Sequence, residues 1–232
     1  MILLNEIKKL LGSGMSKQVI LLGHKARVGK DTSAGFLESF GYIRYAFADK
    51  LKATVSDLYD FTEEQMYGED KDLEDTRFLN NIDNPLIFDE IYVGQDGSVQ
   101  RSRARRNPDY RSFLTPRRIL QRFGQDQRLI YPDIWAQYVF NEIEKSDHNV
   151  FVITDFRFKN EYTVARRWAD LSFNNQLFTV KINRPGVSLH TGSNDISEND
   201  LNDFDEWDYI IENDSTLEDL AIEVIKMKDS LK

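Results

Sequence analysis

The segment His24-Lys25-Ala26-Arg27-Val28-Gly29-Lys30-Asp31-Thr32 carries the residue types that bind phosphate groups. A phosphate loop needs glycine so that backbone N–H groups can converge on phosphate oxygens, a lysine for the terminal phosphates, and a hydroxyl for Mg²⁺. Gly29, Lys30 and Thr32 match these roles, although Asp31 separates the lysine from the hydroxyl. Lys25 and Arg27 add positive charge that is costly unless an anion compensates it. The segment therefore predicts a polyphosphate site, with Thr32 as the magnesium ligand.

The spacing of the glycines departs from the usual motif. Four residues normally separate the two glycines, whereas Gly23 and Gly29 enclose five. Either the loop gains a residue, or His24 takes the first position. A glycine-bearing turn that binds nothing is the alternative, but an apolar strand before the loop and a helix after it favour the phosphate loop.

A second pair of charged residues, Asp155 and Arg157, follows the apolar run at 150–153. Ligands of open parallel sheets collect beyond the carboxyl ends of the strands. Asp155 could therefore orient magnesium-bound water or an acceptor, and Arg157 could clamp a phosphate in fork geometry. A solvated ion pair in a loop is the alternative.

Three arginines lie on one predicted helix, where Arg118 and Arg122 share a face and Arg117 points elsewhere. Near a phosphate site they would be useful, whereas in isolation such arginines form a solvated surface. No Ser/His/Asp triad and no His-rich metal spacing occurs in the sequence. Phosphoryl transfer to a phosphate acceptor needs neither, because its catalysis consists of positioning and charge stabilisation.

These residues are positioned by alternating strands and helices, which predict an α/β fold with a five-stranded parallel sheet flanked by helices. Strands are expected at 18–22, 42–47, 149–154, 177–182 and 209–212. Helices are expected from Gly29 to residue 39, at 49–60, from Pro116 with Thr115 as N-cap, at 132–145, at 159–171, and from Ser215 with a Ser215/Glu218 capping box.

The domain organisation follows from turn signals and charge. We expect residues 1–16 to be a short helical extension or a cloning remnant, and residues 17–232 to form the domain that carries the phosphate loop. An insertion or lid is expected at about 83–114, with Asn-Pro and Asp-Gly turns and a basic cluster of Arg101, Arg103, Arg105, Arg106 and Arg111. The acidic, turn-rich stretch 192–208 predicts a mobile loop.

Composition narrows the classes of partner. The net charge of −9 and the pI near 5.0 disfavour nucleic acid, because phosphodiester backbones would be repelled. No apolar run approaches the roughly 18 residues of a membrane span, and no secretory signal is recognised, so we expect a cytoplasmic protein without membrane partners. The absence of cysteine excludes disulfides and thiolate chemistry, and three scattered histidines disfavour zinc.

Taken together, five motifs resemble the bacteriophage deoxynucleoside monophosphate kinases, P-loop kinases related in fold to dephospho-coenzyme A kinase. The similarity covers most of the chain from about Gln18. It rests on Arg27-Val28-Gly29-Lys30-Asp31-Thr32, on Pro116-Arg117-Arg118-Ile119-Leu120-Gln121-Arg122-Phe123-Gly124-Gln125-Asp126 with Trp135, on Thr154-Asp155-Phe156-Arg157 with Glu161, on Asn183-Arg184-Pro185-Gly186, and on Glu212-Asn213-Asp214-Ser215-Thr216-Leu217-Glu218.

The resemblance implies ATP-dependent phosphorylation of a (deoxy)nucleoside monophosphate, with ATP and Mg²⁺ as cofactors. It implies that the loop residues Arg27, Val28, Gly29, Lys30, Asp31, Thr32 and Ser33 form the ATP site. It implies that Lys52, Arg117, Gly124, Gln125, Trp135, Asp155, Arg157 and Glu161 surround the monophosphate, with Lys30, Arg117, Asp155 and Arg157 in the catalytic roles. Val28 stands where family members carry a small polar residue, and segment 83–114 differs greatly from theirs.

Two other functions remain open at this point. One is a kinase for another acceptor, such as dephospho-coenzyme A, and the other is a nucleotide-binding regulatory module without catalysis. Base preference is left open, as is the oligomeric state, for which a homodimer is considered. A phage-encoded protein of this family is expected to act in deoxynucleotide biosynthesis in the host cytoplasm.

Overall fold

The computed structural model describes residues 16–80, 86–88, 91–93, 98–101, 104–106, 112–186 and 199–231. The chain forms two compact units. The first comprises the chain up to Leu51 together with Gln127–Lys232, and the second is Lys52–Asp126. Residues 1–15 of the predicted extension, residues 192–198 of the predicted acidic loop, and Arg103 and Arg111 of the insertion lie outside the described residues.

The first unit is built on a parallel sheet of the five predicted strands. They are β1 (Gln18–Gly23), β2 (Ile43–Tyr45), β7 (Val150–Phe156), β8 (Gln176–Asn183) and β9 (Tyr209–Glu212). Their order in the sheet is β2-β7-β1-β8-β9, and every pairing is parallel. The carboxyl end of the central strand β1 therefore lies between those of β7 and β8, where an open α/β sheet places its ligands.

Helices cover both faces of this sheet, and β1 shows why. Val19 and Leu21 pack into one buried cluster, whereas Ile20 and Leu22 pack into the other. The first cluster includes apolar residues of α5 (Ile134–Lys145) and α6 (Lys159–Asp170), and the second includes those of α1 (Lys30–Glu38) and α7 (Leu217–Ser230). A strand buried on both faces reads as a continuous apolar run, which is the pattern that predicted it.

The predicted elements are confirmed with shifted ends. Strand β2 is shorter than expected, and β7 continues through Asp155 and Phe156, so Asp155 lies within the strand instead of just past it. Helix α5 begins at Ile134 and not at Pro132. The Ser215/Glu218 capping box is wrong by one residue, because Thr216 is the N-cap and its partner is Asp219. The Thr115 cap is confirmed, since its hydroxyl accepts the Arg118 N–H at 3.1 Å.

The second unit combines two predicted helices with shorter elements that were not predicted. Helix α2 (Asp49–Tyr59) leads into it, and α3 (Glu63–Tyr67) and a 3₁₀ turn (Glu69–Asp72) follow. Four short strands pair antiparallel in the predicted insertion: β3 (Leu86–Phe88) with β6 (Ala104–Arg106), and β4 (Ile91–Val93) with β5 (Val99–Arg101). Helix α4 (Pro116–Ile130) then leads back to the first unit. Within the described ranges, none of the helices combines the length and apolarity needed to cross a membrane.

Candidate active site

The turn between β1 and α1 resolves the irregular glycine spacing. His24 has φ of +88°, in the region that normally requires glycine. From His24, four residues lead to Gly29, which is the usual motif spacing with histidine in place of the first glycine. Gly23 serves packing instead, because a Cβ there would lie 2.6 Å from the Trp207 ring and 2.7 Å from Phe156.

The backbone of the loop adopts positive φ at three residues. Besides His24, Arg27 (φ +59°) and Gly29 (φ +105°) adopt positive φ. Such alternation of backbone conformations turns successive N–H groups toward a common concavity that suits anions. Non-glycine residues in this region carry strain, which is common at functional sites.

Lys30 is the first residue of α1 and its side chain crosses the loop. The residue is only 6% exposed, which is unusual for a lysine. Its Nζ donates to the His24 carbonyl at 3.2 Å and also to the Lys25 carbonyl. These bonds hold a buried cation directly over the turn, where a phosphate would meet it.

Asn213, which follows β9, fixes the second half of the loop. Its side chain is nearly buried, and Nδ2 donates to the Val28 carbonyl at 2.9 Å. A Cβ on Gly29 would lie 2.6 Å from this nitrogen, so close approach as well as positive φ requires glycine there. The Asn213 N–H donates to the Asn183 carbonyl at 2.7 Å, which ties the contact to β8.

The remaining predicted loop residues differ in exposure. Arg27 and Thr32 are exposed, whereas Val28 and Ser33 are buried. The Ser33 hydroxyl is fully buried and has no hydrogen-bond partner among the described residues. With His24 in the first position, the hydroxyl position of the motif falls on Asp31, which binds Arg44 at 2.5 Å and remains 77% exposed.

The donor set at the start of α1 fits Mg²⁺. Asp31 and Thr32 offer a carboxylate and a hydroxyl beside Lys30, and Mg²⁺ prefers oxygen ligands completed by substrate phosphates and water. Among the described residues there is no cluster of three or more His, Asp or Glu side chains that could form an all-protein metal cage.

Asp155 joins β7 to the segment that precedes α2. Its Oδ1 accepts the Phe47 N–H at 2.7 Å, and its Oδ2 accepts the Ala48 N–H at 3.0 Å. Burial raises the pKa of Asp155, while these two hydrogen bonds oppose the rise. The carboxylate therefore positions backbone, and it retains further lone pairs for a ligand.

Glu161 lies close to Asp155 and accepts hydrogen bonds at the start of α6. Its Oε2 accepts the Arg157 N–H at 2.8 Å and the Phe158 N–H at 3.0 Å. Burial, with a smaller contribution from Asp155, raises the pKa of Glu161 to about 8. Arg128, 3.8 Å from Glu161, opposes this rise, and its guanidinium stacks over the Phe158 ring at 4.3 Å.

The substrate residues expected from the resemblance divide between the two units. Asp155, Arg157, Glu161 and Trp135 belong to the first unit, in which Trp135 is buried at 6% exposure. The second unit carries Lys52, Arg117, Gly124 and Gln125. Within that unit Arg117 binds Asp72, and Lys52 Nζ lies 4.5 Å from the Tyr67 ring centroid. The role of each in binding the monophosphate stays a prediction.

Sequence reasoning missed Arg128, Lys181 and the loop contact of Asn213. Arg128 lies one turn after Gly124 in α4, within reach of the helical spacing that singled out the earlier arginines. Lys181 is paired in register with Gly23 at the end of β1. Asn213 belongs to a quoted motif, but its partner is 185 residues away. Only the topology of the sheet could have brought the positions of Lys181 and Asn213 to notice.

Comparison with known proteins supports the predicted resemblance. No protein-family model matches the chain. A protein of Acanthamoeba polyphaga mimivirus named "Putative deoxynucleotide monophosphate kinase" is 29% identical over 213 residues, which cover 90% of this chain and 95% of that relative. A protein of Escherichia phage T5 named "Deoxynucleoside-5'-monophosphate kinase" is 31% identical over 113 residues, which cover 44% of each chain. The resemblance to this group of kinases is thereby confirmed.

Proposed function

We propose that this chain transfers the γ-phosphoryl group of ATP to a (deoxy)nucleoside monophosphate, giving the diphosphate and ADP. The observation that carries the proposal is the loop at the end of β1, which has the P-loop spacing from His24 and a buried Lys30 held across it. The names of the two relatives supply the acceptor class.

The donor half of the reaction is electrostatic. Lys30 and the backbone N–H groups of residues 24–30 neutralise charge that develops on the transferred group. Mg²⁺ would be held by Thr32, with Asp31 beside it, and when bound it would neutralise charge on the β- and γ-phosphates. Arg27, exposed at the mouth of the loop, adds a further cation for the phosphates.

The acceptor half consists of positioning. Arg157 leaves the carboxyl end of β7, beside the strand that delivers the phosphate loop, and clamps the acceptor phosphate. Asp155 holds the backbone at Phe47 and Ala48 in place. The resemblance assigns Lys52, Arg117, Gly124, Gln125, Trp135 and Glu161 to the same substrate, and Arg128 is a further candidate from the geometry.

The chemical step requires no general base. An oxygen of the acceptor monophosphate forms a bond to the γ-phosphorus while the bond from that phosphorus to the bridging oxygen breaks, and ADP leaves with the electron pair. The acceptor oxygen is already anionic. Since both relatives are viral, we place this reaction among the small-molecule nucleotides of the infected cell's cytoplasm.

Substitution of the loop lysine tests the assignment. Lys30→Ala should lower the rate of ADP formation by about 10²-fold or more, the order expected when a transition-state donor is lost. Lys226→Ala is the matched control, because Lys226 forms a surface pair with Glu223 on α7. Circular dichroism should show both variants folded. A Lys30→Ala enzyme with near-normal turnover would overturn the proposal.

A further inference from the structure

His24 stands at the first position of the phosphate loop, where the usual motif has glycine. A histidine with positive φ is strained where glycine would not be, so the side chain requires an explanation. Gly23, which could have supplied the first glycine, is instead fixed by packing against Trp207 and Phe156. The chain thus places an imidazole where the usual motif has no side chain at all.

One nitrogen of the His24 imidazole has no hydrogen-bond partner among the described residues. This nitrogen, Nδ1, is fully buried. A backbone hydrogen bond with Ile182 in β8 opposes the lowering of the His24 pKa. A buried polar atom without a partner is rare in folded proteins and commonly marks a functional position.

Three lysines on different segments contribute positive charge near His24. Lys25 acts from the loop itself, Lys30 from α1 and Lys181 from β8. Burial, reinforced by these three lysines, lowers the pKa of His24 to about 4, so the ring is neutral at physiological pH. The same lysines make the position attractive to an anion.

We propose that His24 is a phosphate-binding residue of the donor site, which takes up a proton at Nδ1 when a polyphosphate enters the loop. A neutral Nδ1 presents a lone pair, which repels a phosphate oxygen, whereas a protonated Nδ1 donates a hydrogen bond to it. The incoming phosphates screen the lysines and supply opposite charge at short range, and both effects favour the imidazolium.

This inference rests on the proposed function only through the donor site, since it needs a polyphosphate at the loop and no acceptor. The dependence of polyphosphate affinity on pH has a definite sign. Because the pKa of His24 is higher in the bound state than in the free state, affinity is greatest at low pH. Affinity is then lost as pH rises from about 4 through the bound-state pKa.

Nuclear magnetic resonance of histidine-labelled protein tests the inference directly. The pH titration of His24 is recorded without ligand and with saturating inorganic tripolyphosphate, in the absence of metal. We expect the pKa of His24 to rise by about 2 units or more, a size typical of an opposite charge at short range. The signal of His148, an exposed residue, reports non-specific effects of the added anion.

Calorimetry with a matched variant supplies a second readout. His24→Asn removes the titrating group, and asparagine tolerates positive φ better than most residues. Binding of tripolyphosphate in buffers of different ionisation enthalpy should show proton uptake in the wild type beyond that in the variant. As pH rises, the affinity of the wild type for tripolyphosphate should fall up to tenfold more per pH unit than that of the variant. Subtracting the pH dependence of the variant removes the contribution from titration of the ligand itself.

The outcomes separate this inference from the proposed function. An unchanged His24 titration with tripolyphosphate bound, equal proton uptake in both proteins, or no binding of tripolyphosphate would each overturn the role of His24. If His24 protonates on binding but no nucleoside monophosphate is phosphorylated, the inference stands and the proposed function fails. If a nucleoside monophosphate is phosphorylated but His24 stays neutral with tripolyphosphate bound, the proposed function stands and the inference about His24 fails.

Discussion

At the scale of single residues, the site combines a motif that sequence can locate with side chains whose state depends on burial. The order of Gly29, Lys30 and Thr32 in the sequence is enough to predict a phosphate loop. The neutral state of His24 and the raised pKa of Glu161 could not be predicted in this way, because both arise from burial and from charges on distant segments. Sequence order does not encode solvent exposure, so these properties required the fold.

Glu161 gives a stability prediction with a definite sign. Its pKa is raised in the folded state, so its contribution to stability is present below the unfolded-state pKa near 4.5 and is lost as pH rises through about 8. The free energy of unfolding should therefore fall with rising pH in this window, by up to about 1.4 kcal/mol per pH unit. Glu161→Gln keeps an oxygen acceptor for the Arg157 and Phe158 N–H groups and should flatten the dependence.

Urea denaturation between about pH 5 and pH 9 measures this effect. The control is Glu223→Gln, which alters a surface glutamate paired with Lys226 and should leave the pH dependence as in the wild type. Parallel curves for the wild type and Glu161→Gln would show that Glu161 does not hold its proton in the folded protein.

At the scale of elements, the strands and helices of the first unit could be predicted because each has a strong local signal. The run Val150-Phe151-Val152-Ile153 is buried on both faces, and its apolar pattern gave β7 directly. The end of β7 was missed, since Asp155 is polar yet stays in the strand through its bonds to two backbone N–H groups. In the second unit, three-residue strands such as β3 and β6 are too short for periodicity to reveal.

The contact between Asn213 and the phosphate loop is the element-scale feature with the clearest test. Asn213→Ala leaves the Val28 carbonyl buried without its donor, which should cost about 1–3 kcal/mol of unfolding free energy. Because the loop then loses its anchor after β9, the KM for ATP should rise more than kcat falls.

Asn183→Ala is the matched control for this variant, since the Asn183 side chain donates to Glu212 in a solvent-exposed hydrogen bond. Denaturation gives the free energy of unfolding of both variants, and steady-state kinetics gives their kcat and their KM for ATP. An Asn213→Ala protein as stable as the wild type, with an unchanged KM for ATP, would show that the loop holds its shape without Asn213.

At the scale of the whole molecule, a chain of net charge −9 concentrates cations at one edge of its sheet. Lys25, Arg27 and Lys30 lie in or beside the loop after β1, Arg157 follows β7, and Lys181 lies near the end of β8. The parallel order of these strands accounts for the concentration, because their carboxyl ends meet at the same edge. This edge suits a polyphosphate, and the acidic remainder of the chain disfavours extended nucleic acid.

The most direct test of the account is an acceptor panel. The full chain is incubated with ATP, Mg²⁺ and each of the deoxynucleoside and ribonucleoside monophosphates, with dephospho-coenzyme A and no acceptor as comparisons, and ADP and phosphorylated products are quantified by chromatography. We predict that at least one nucleoside monophosphate yields its diphosphate and ADP in equal amounts, and that Lys30→Ala lowers the rate of formation of both by about 10²-fold or more. Transfer to dephospho-coenzyme A alone, or ATP binding without transfer to any nucleoside monophosphate, would contradict the account.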